Sequence, residues 1–280
     1  MTMSTARFGS IGSVTMAVSA AILLVATLPV IRSAEAQTAT SAAVVGSLPA
    51  LPSVTPRVGA AAKSGDPQSI ENPGFPNAYF FKPRSSKSMK PVIVYLHGRG
   101  GVPEEGCRAW AKVATEFGWL LCPSGQEDRG HGTRGWNNDW ETSTKDVMGA
   151  LLSLRKKFGR KVQLYGNVLI GFSEGAYVAE NIGPRDPKTF NRWLIIASCD
   201  RYFGAATADI HAKKKQIKRV YLWTGEMDGA EKESEQTFDH LKTEGIQVKL
   251  TVPKGLPHAI PVDTMTQHFR APLKWLVSAK

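Results

Sequence analysis

Val168, Leu169 and Ile170 form an apolar run that leads without a spacer into Gly171-Phe172-Ser173-Glu174-Gly175 and then Ala176. This is the G-x-S-x-G pattern of a sharp strand-to-helix turn. A chain that turns from strand to helix within a few residues brings backbone segments close together. The positions two before and two after the serine then cannot carry bulk, and glycine answers that need. The serine between them is forced into a strained backbone conformation, which lifts its hydroxyl out at the top of the sheet. G-x-S-x-G alone is common in proteins. The apolar strand before it and the small-residue helix start after it make it specific, whereas a plain turn with a capping serine would need neither.

The rest of the chain supplies the sheet that such a turn requires. Residues 91–96 are a near-continuous apolar run, as expected for a central strand covered on both faces. Further strands are expected at 119–123, 193–197, 220–224 and 248–252, and helices at 104–117, 146–158, 231–241 and from about residue 261. Strand alternates with helix throughout. That predicts a doubly wound, mostly parallel α/β sheet with right-handed crossovers. In 280 residues with 42% hydrophobic content there is enough apolar material for one sizeable core. No insertion is long enough for a lid. Chemistry in such sheets gathers at the carboxyl ends of the strands.

A serine hydroxyl is a poor nucleophile at neutral pH and needs a base, an acid to orient that base, and donors for the developing oxyanion. For the base, His258 follows the last expected strand on a loop bounded by Pro253, Gly255 and Pro257. His240 and His268 fall on helices, and His131 and His211 flank the wrong elements. For the acid, Asp228 follows the next-to-last expected strand, with Asp200 as a rival and Glu226 as a lesser one. The order Ser173, Asp228, His258 places three chemical roles at three strand ends. One oxyanion donor is expected from the N–H of Glu174, directly after the nucleophile. The other is expected from the turn His97-Gly98-Arg99-Gly100-Gly101, at Arg99 or, failing that, Gly100. His97 is read as a structural histidine holding that turn.

Together, His97-Gly98-x-Gly100-Gly101, Gly171-x-Ser173-x-Gly175, Gly225-x-x-Asp228 and the late His258 resemble the α/β-hydrolase superfamily over residues 90–278. Within it, the chain is similar to secreted esterases of the polyhydroxybutyrate depolymerase, feruloyl esterase and dienelactone hydrolase-like carboxylesterase group. The resemblance implies ester cleavage through a Ser-His-Asp triad and an acyl-enzyme, without a cofactor or a metal. The loop Gly135-Trp136-Asn137-Asn138-Asp139-Trp140 is similar to the loop after the fourth strand in those esterases, so Trp136 and Trp140 are expected either to line the acyl or alcohol pocket or to be ordinary core or surface aromatics. Glu174 departs from the pattern, being an anion where many such proteins have a neutral residue. The triad serves peptidases and acyltransferases equally well, and a non-catalytic hydrolase-like binding protein is the remaining alternative.

Outside that region, residues 14–31 are apolar and precede Ala34-Glu35-Ala36, an A-x-A cleavage pattern. Residues 1–36 therefore read as a signal peptide cleaved after Ala36, which predicts a secreted or periplasmic protein with no stable membrane span after cleavage. The other reading is an uncleaved anchor. Residues 37–71, rich in Ala, Ser, Thr and Pro, read as a flexible linker, with the catalytic domain at 72–280. The formal charge of +11 has its densest cluster at Lys213-Lys214-Lys215 through Lys218-Arg219. No aromatic residues interleave with it, so a solvated face is expected and no nucleic-acid partner. The expected partner is a small or polymeric ester. Cys107, Cys122 and Cys199 allow one pair and one thiol, and the pair expected is Cys107 with Cys122.

Overall fold

The structure, a computed structural model, describes residues 65–85, 87–197, 199, 204 and 206–279. The expected signal peptide and the linker as far as residue 64 lie outside the described residues, as does Asp200.

Eight strands build the main sheet: β1 (Gln68–Ile70), β2 (Ala78–Phe81), β3 (Val92–Leu96), β4 (Trp119–Cys122), β7 (Asn167–Phe172), β8 (Phe190–Ile196), β9 (Arg219–Trp223) and β10 (Val248–Thr251). Their order is β1-β2-β4-β3-β7-β8-β9-β10. Pairing is antiparallel from β1 to β2 and from β2 to β4, and parallel from β4 through to β10. The sheet is thus mostly parallel, as the alternation predicts, with two antiparallel strands at one edge.

Helices cover both faces, and the residues of β3 show why. All five are buried. Val92, Val94 and Leu96 join one core layer, while Ile93 and Tyr95 join the other. The first layer is closed by α2 (Trp140–Phe158), through Val147, Leu151 and Leu154, and by α3 (Glu174–Arg185), through Ala176, Val178 and Ile182. The second is closed by α1 (Pro103–Ala114), through Trp110 and Val113, and by α6 (Met265–Val277), through Phe269, Leu273 and Leu276. A central strand buried on both faces must be apolar at every position, and this one is. Cys107 on α1 and Cys122 at the end of β4 form a disulfide, with Cα atoms 5.8 Å apart.

The structure departs from expectation in four places. The folded domain begins with β1, a few residues before the expected start at 72, because Gln68–Ile70 pairs with β2 at the sheet edge. α2 starts at Trp140 and not at 146: the Asp139 carboxylate accepts a hydrogen bond from the N–H of Thr142 at 3.0 Å and so caps a helix six residues longer at its start. The loop at 124–138 contains a two-stranded ribbon, β5 (Glu127–Asp128) with β6 (Arg134–Gly135). A short helix, α4 (Thr207–Lys213), precedes the basic cluster, where Lys213 pairs with Asp209 and Lys214 with Glu244. One more helix, α5 (Glu231–Thr243), joins β9 to β10.

Candidate active site

The turn between β7 and α3 is built as its glycines require. Ser173 sits at φ 54°, ψ −118°, a conformation that L-residues rarely adopt. A Cβ on Gly171 would lie 2.3 Å from the carbonyl oxygen of Gly175, and one on Gly175 would lie 2.2 Å from that of Leu96. Neither position can carry a side chain without opening the turn. α3 then begins at Glu174, and the first N–H groups of a helix have no acceptor within it.

Ser173, His258 and Asp228 come together in a hydrogen-bonded row. The Ser173 hydroxyl lies 2.9 Å from Nε2 of His258, and Nδ1 of His258 lies 2.8 Å from Oδ2 of Asp228. A carboxylate can only accept, so Nδ1 carries the hydrogen and Nε2 is left to accept from the serine. The other oxygen of Asp228 accepts from the N–H of Ala230 at 2.9 Å. Asp228 is buried and His258 half-exposed, as suits an orienting acid behind a base that meets solvent. Phe172 packs against the imidazole with ring centroids 5.1 Å apart.

Two loops carry Asp228 and His258, and they are sewn to each other. Glu226 N–H donates to the Pro253 carbonyl at 3.0 Å, and Met227 N–H to the Leu256 carbonyl at 3.0 Å. The Glu226 carboxylate accepts from Gly255 N–H at 2.9 Å, so this residue braces the base loop and does not meet the imidazole. Gly225 is where the loops cross: a Cβ there would lie 2.1 Å from the carbonyl oxygen of Leu256.

On the other side of Ser173 lies the turn after β3. Gly98 faces Ser173, and a Cβ on it would meet Phe172 at 3.0 Å and Ser173 at 3.2 Å. Gly100 cannot supply the second oxyanion donor, because its N–H donates to the Arg134 carbonyl at 2.8 Å. Arg99 borders the cleft that His258 also lines. Both ring nitrogens of the buried His97 meet carbonyls, of Gly98 at 2.8 Å and Ser124 at 2.9 Å. Burial pushes its pKa below the usual histidine value, against the pull of the two carbonyls. These contacts hold the turn.

Of the two readings of the tryptophans, pocket wall or ordinary aromatic, the structure favours the second. Trp136 is fully buried, and its indole N–H donates to the His97 carbonyl at 2.8 Å, so it is a strut beneath the turn and not a pocket wall. Trp140 stacks under the guanidinium of Arg185, 4.0 Å from ring centroid to Cζ, and borders neither cavity beside Ser173. Both cavities touch His258. One, of about 470 Å³, is lined by Tyr95, Val102, Phe172 and Ile260 along with the Arg99 turn. The other, of about 140 Å³, adjoins Ser173 and is lined by Ala197, Cys199 and Glu233, with the Cys199 thiol donating to the Glu233 carboxylate. Ala197 stands at φ 58° at the end of β8. No residue type announces such a conformation, so sequence reasoning missed this wall.

Behind the ribbon, Asp146 is fully buried and joins two segments. Its carboxylate accepts from Asn72 Nδ2 at 2.6 Å and from Gly125 N–H at 3.0 Å. Burial raises its pKa from 3.8 to about 7. Among the described residues, no group of three or more His, Cys, Asp or Glu is placed to hold a metal ion, and no helix is long and apolar enough to cross a membrane.

No protein-family model matches the chain, and no curated protein does. Solved structures do resemble it. Est1E from Butyrivibrio proteoclasticus is 14% identical, with a TM-score of 0.54 over 76% of this chain and 99% of its own. The esterase PE8 is 22% identical, with a TM-score of 0.55 over 70% and 97%. The Bacillus cereus carboxylesterase is 18% identical, with a TM-score of 0.51 over 71% and 92%. Identities this low carry the architecture and not the substrate. With its strand order, its helices on both faces and these likenesses, the chain has the α/β-hydrolase fold.

Proposed function

We propose that the protein is a serine hydrolase that cleaves carboxylic esters through an acyl-enzyme, exported under the direction of residues 1–36. The observation that carries this reading is the row from Ser173 through His258 to Asp228, with spacings of 2.9 Å and 2.8 Å at the ends of three strands. In the first half-reaction Ser173 Oγ attacks the ester carbonyl carbon while His258 Nε2 takes the hydroxyl proton. The carbonyl oxygen becomes an oxyanion, held by the N–H groups of Glu174 and Arg99. The intermediate collapses, the bond to the alcohol oxygen breaks, and His258 returns the proton to that oxygen. A water molecule then gives a proton to His258 and attacks the acyl carbon; the bond from that carbon to Ser173 Oγ breaks, His258 returns the proton to Oγ, and the acid leaves. Asp228 stabilises the imidazolium in both halves.

The cleft of about 470 Å³ takes the larger substituent of the ester, and the cavity of about 140 Å³ takes a small one. Neither tryptophan contributes to either.

Ser173→Ala is the test. It is expected to abolish turnover of p-nitrophenyl esters with the fold retained, and persistence of turnover would refute the assignment. Matched amides, and esters offered with an added alcohol acceptor, separate an esterase from a peptidase and an acyltransferase. Export is tested on the protein recovered from its host, whose first residue is expected to be Gln37.

A further inference from the structure

We infer that the ion pair between Glu174 and Arg99 compensates charge and positions the oxyanion-binding turn, so that Glu174 is a positioning residue for the reaction. This inference rests on the serine-hydrolase reading. Glu174 stands directly after the nucleophile, and its side chain is only 3% exposed. A carboxylate there opposes the negative charge that develops on the substrate oxygen, and its burial leaves that opposition little screened by solvent. Its position in the first turn of α3 makes it favourable to the helix dipole. Yet the hydrogen bonds of its carboxylate run to other segments and not to its own helix.

Those bonds are four. Oε1 accepts from Arg99 Nε at 3.2 Å, Arg99 Nη2 at 3.0 Å and Asn138 N–H at 3.3 Å, and Oε2 accepts from Trp136 N–H at 3.1 Å. One carboxylate therefore joins the start of α3, the turn after β3 and the loop after β6. The last two are also joined to each other, by Gly100 N–H to the Arg134 carbonyl and Arg134 N–H to the Gly101 carbonyl. Gly135 has no Cβ to obstruct the approach, and one added there would lie 3.2 Å from Glu174 Oε2. The guanidinium gives two of the four bonds and is the charged donor group; the other two come from neutral main-chain N–H groups. In the proposed mechanism Arg99 thus has two roles in different atoms: its main-chain N–H is the oxyanion donor, and its side chain neutralises the anion behind it.

The two variants Arg99→Met and Arg99→Met/Glu174→Gln separate this from simple bracing. Both keep the main-chain donors. Arg99→Met leaves the buried carboxylate uncompensated, and kcat is expected to fall by about 30-fold with KM little changed, a loss below that of removing an oxyanion donor outright. Adding Glu174→Gln removes the opposing charge, so the double variant is expected to be faster than Arg99→Met, and Arg99→Lys is expected to recover most of kcat. Simple bracing predicts the reverse, with the double variant as slow as Arg99→Met or slower, and that result overturns the inference. So does an Arg99→Met enzyme with unchanged kcat. If Arg99→Met does not fold, Arg99→Gln with and without Glu174→Gln gives the same comparison, read per folded molecule by organophosphonate labelling of Ser173. Failure of the underlying reading looks different, since the parent protein would then show no labelling of Ser173 at all.

Discussion

Gly225→Ala is the perturbation that probes most sharply how Asp228 and His258, the proposed acid and base, are brought together. Gly225 crosses the base loop so closely that a new Cβ would lie 2.1 Å from the Leu256 carbonyl oxygen, where ordinary contact begins at 3.4 Å. The two loops must therefore part by about 1.3 Å, since both contacting partners are backbone and cannot swing aside. Leu256 lies two residues before His258, and Gly225 three before Asp228. The strain falls on the 2.8 Å bond between imidazole and carboxylate and on the 2.9 Å approach to Ser173. A misplacement of about 1 Å costs on the order of 100-fold in rate, so kcat is expected to fall by about that factor. Overpacking of this kind costs about 1–3 kcal/mol of stability, so the variant still folds. Steady-state kinetics on a p-nitrophenyl ester, with a thermal melt for the fold, make the test. A folded variant with kcat within about threefold of the parent would refute the reasoning.

Three further outcomes follow from the structure. Asp146 holds its proton in the native state up to about pH 7 but loses it near 3.8 when exposed, so the native state binds the extra proton between those values. The contribution of Asp146 to stability is then greatest below that window and falls as pH rises through it, by up to about 4 kcal/mol. Asp146→Asn is expected to flatten that slope in urea titrations at several pH values, and an unchanged slope contradicts the assignment. Replacing Cys107 and Cys122 together by serine opens a 15-residue link and is expected to cost about 3 kcal/mol, read as a lower urea midpoint, with an unchanged midpoint counting against it. Trp136→Phe removes the bond to the His97 carbonyl and is expected to cost about 1 kcal/mol in stability while leaving the ranking of ester substrates unchanged. A changed ranking would return Trp136 to the pocket wall.

How far the residues announce this arrangement depends on how local the cause is. The turn at Ser173 is written in five consecutive residues, because the close approach that forbids side chains on Gly171 and Gly175 arises within the turn and its neighbouring strand. The central strands are legible for the same kind of reason, since a strand such as Val92–Leu96 buried on both faces has no polar position to spare. Asp228 and His258 follow from chain order and strand ends, which topology enforces. Trp136 shows where this stops. A tryptophan in a glycine- and asparagine-rich loop can be a pocket wall or an ordinary aromatic, and the contact that decides it is a carbonyl 39 residues away. Glu174 is a sharper case, for its partners Arg99 and Trp136 lie 75 and 38 residues distant in sequence. The short edge strand Gln68–Ile70 has too few residues to show a period, and only its pairing with β2 defines it.

The central claim is that Ser173 is the nucleophile and His258 its base. Treatment with an organophosphonate, followed by mass mapping of the peptide that carries the adduct, tests it most directly. A single stoichiometric adduct on Ser173 is expected, abolished in Ser173→Ala and strongly slowed in His258→Ala. An adduct on another residue, or labelling of Ser173 that proceeds as fast without the imidazole, would contradict it.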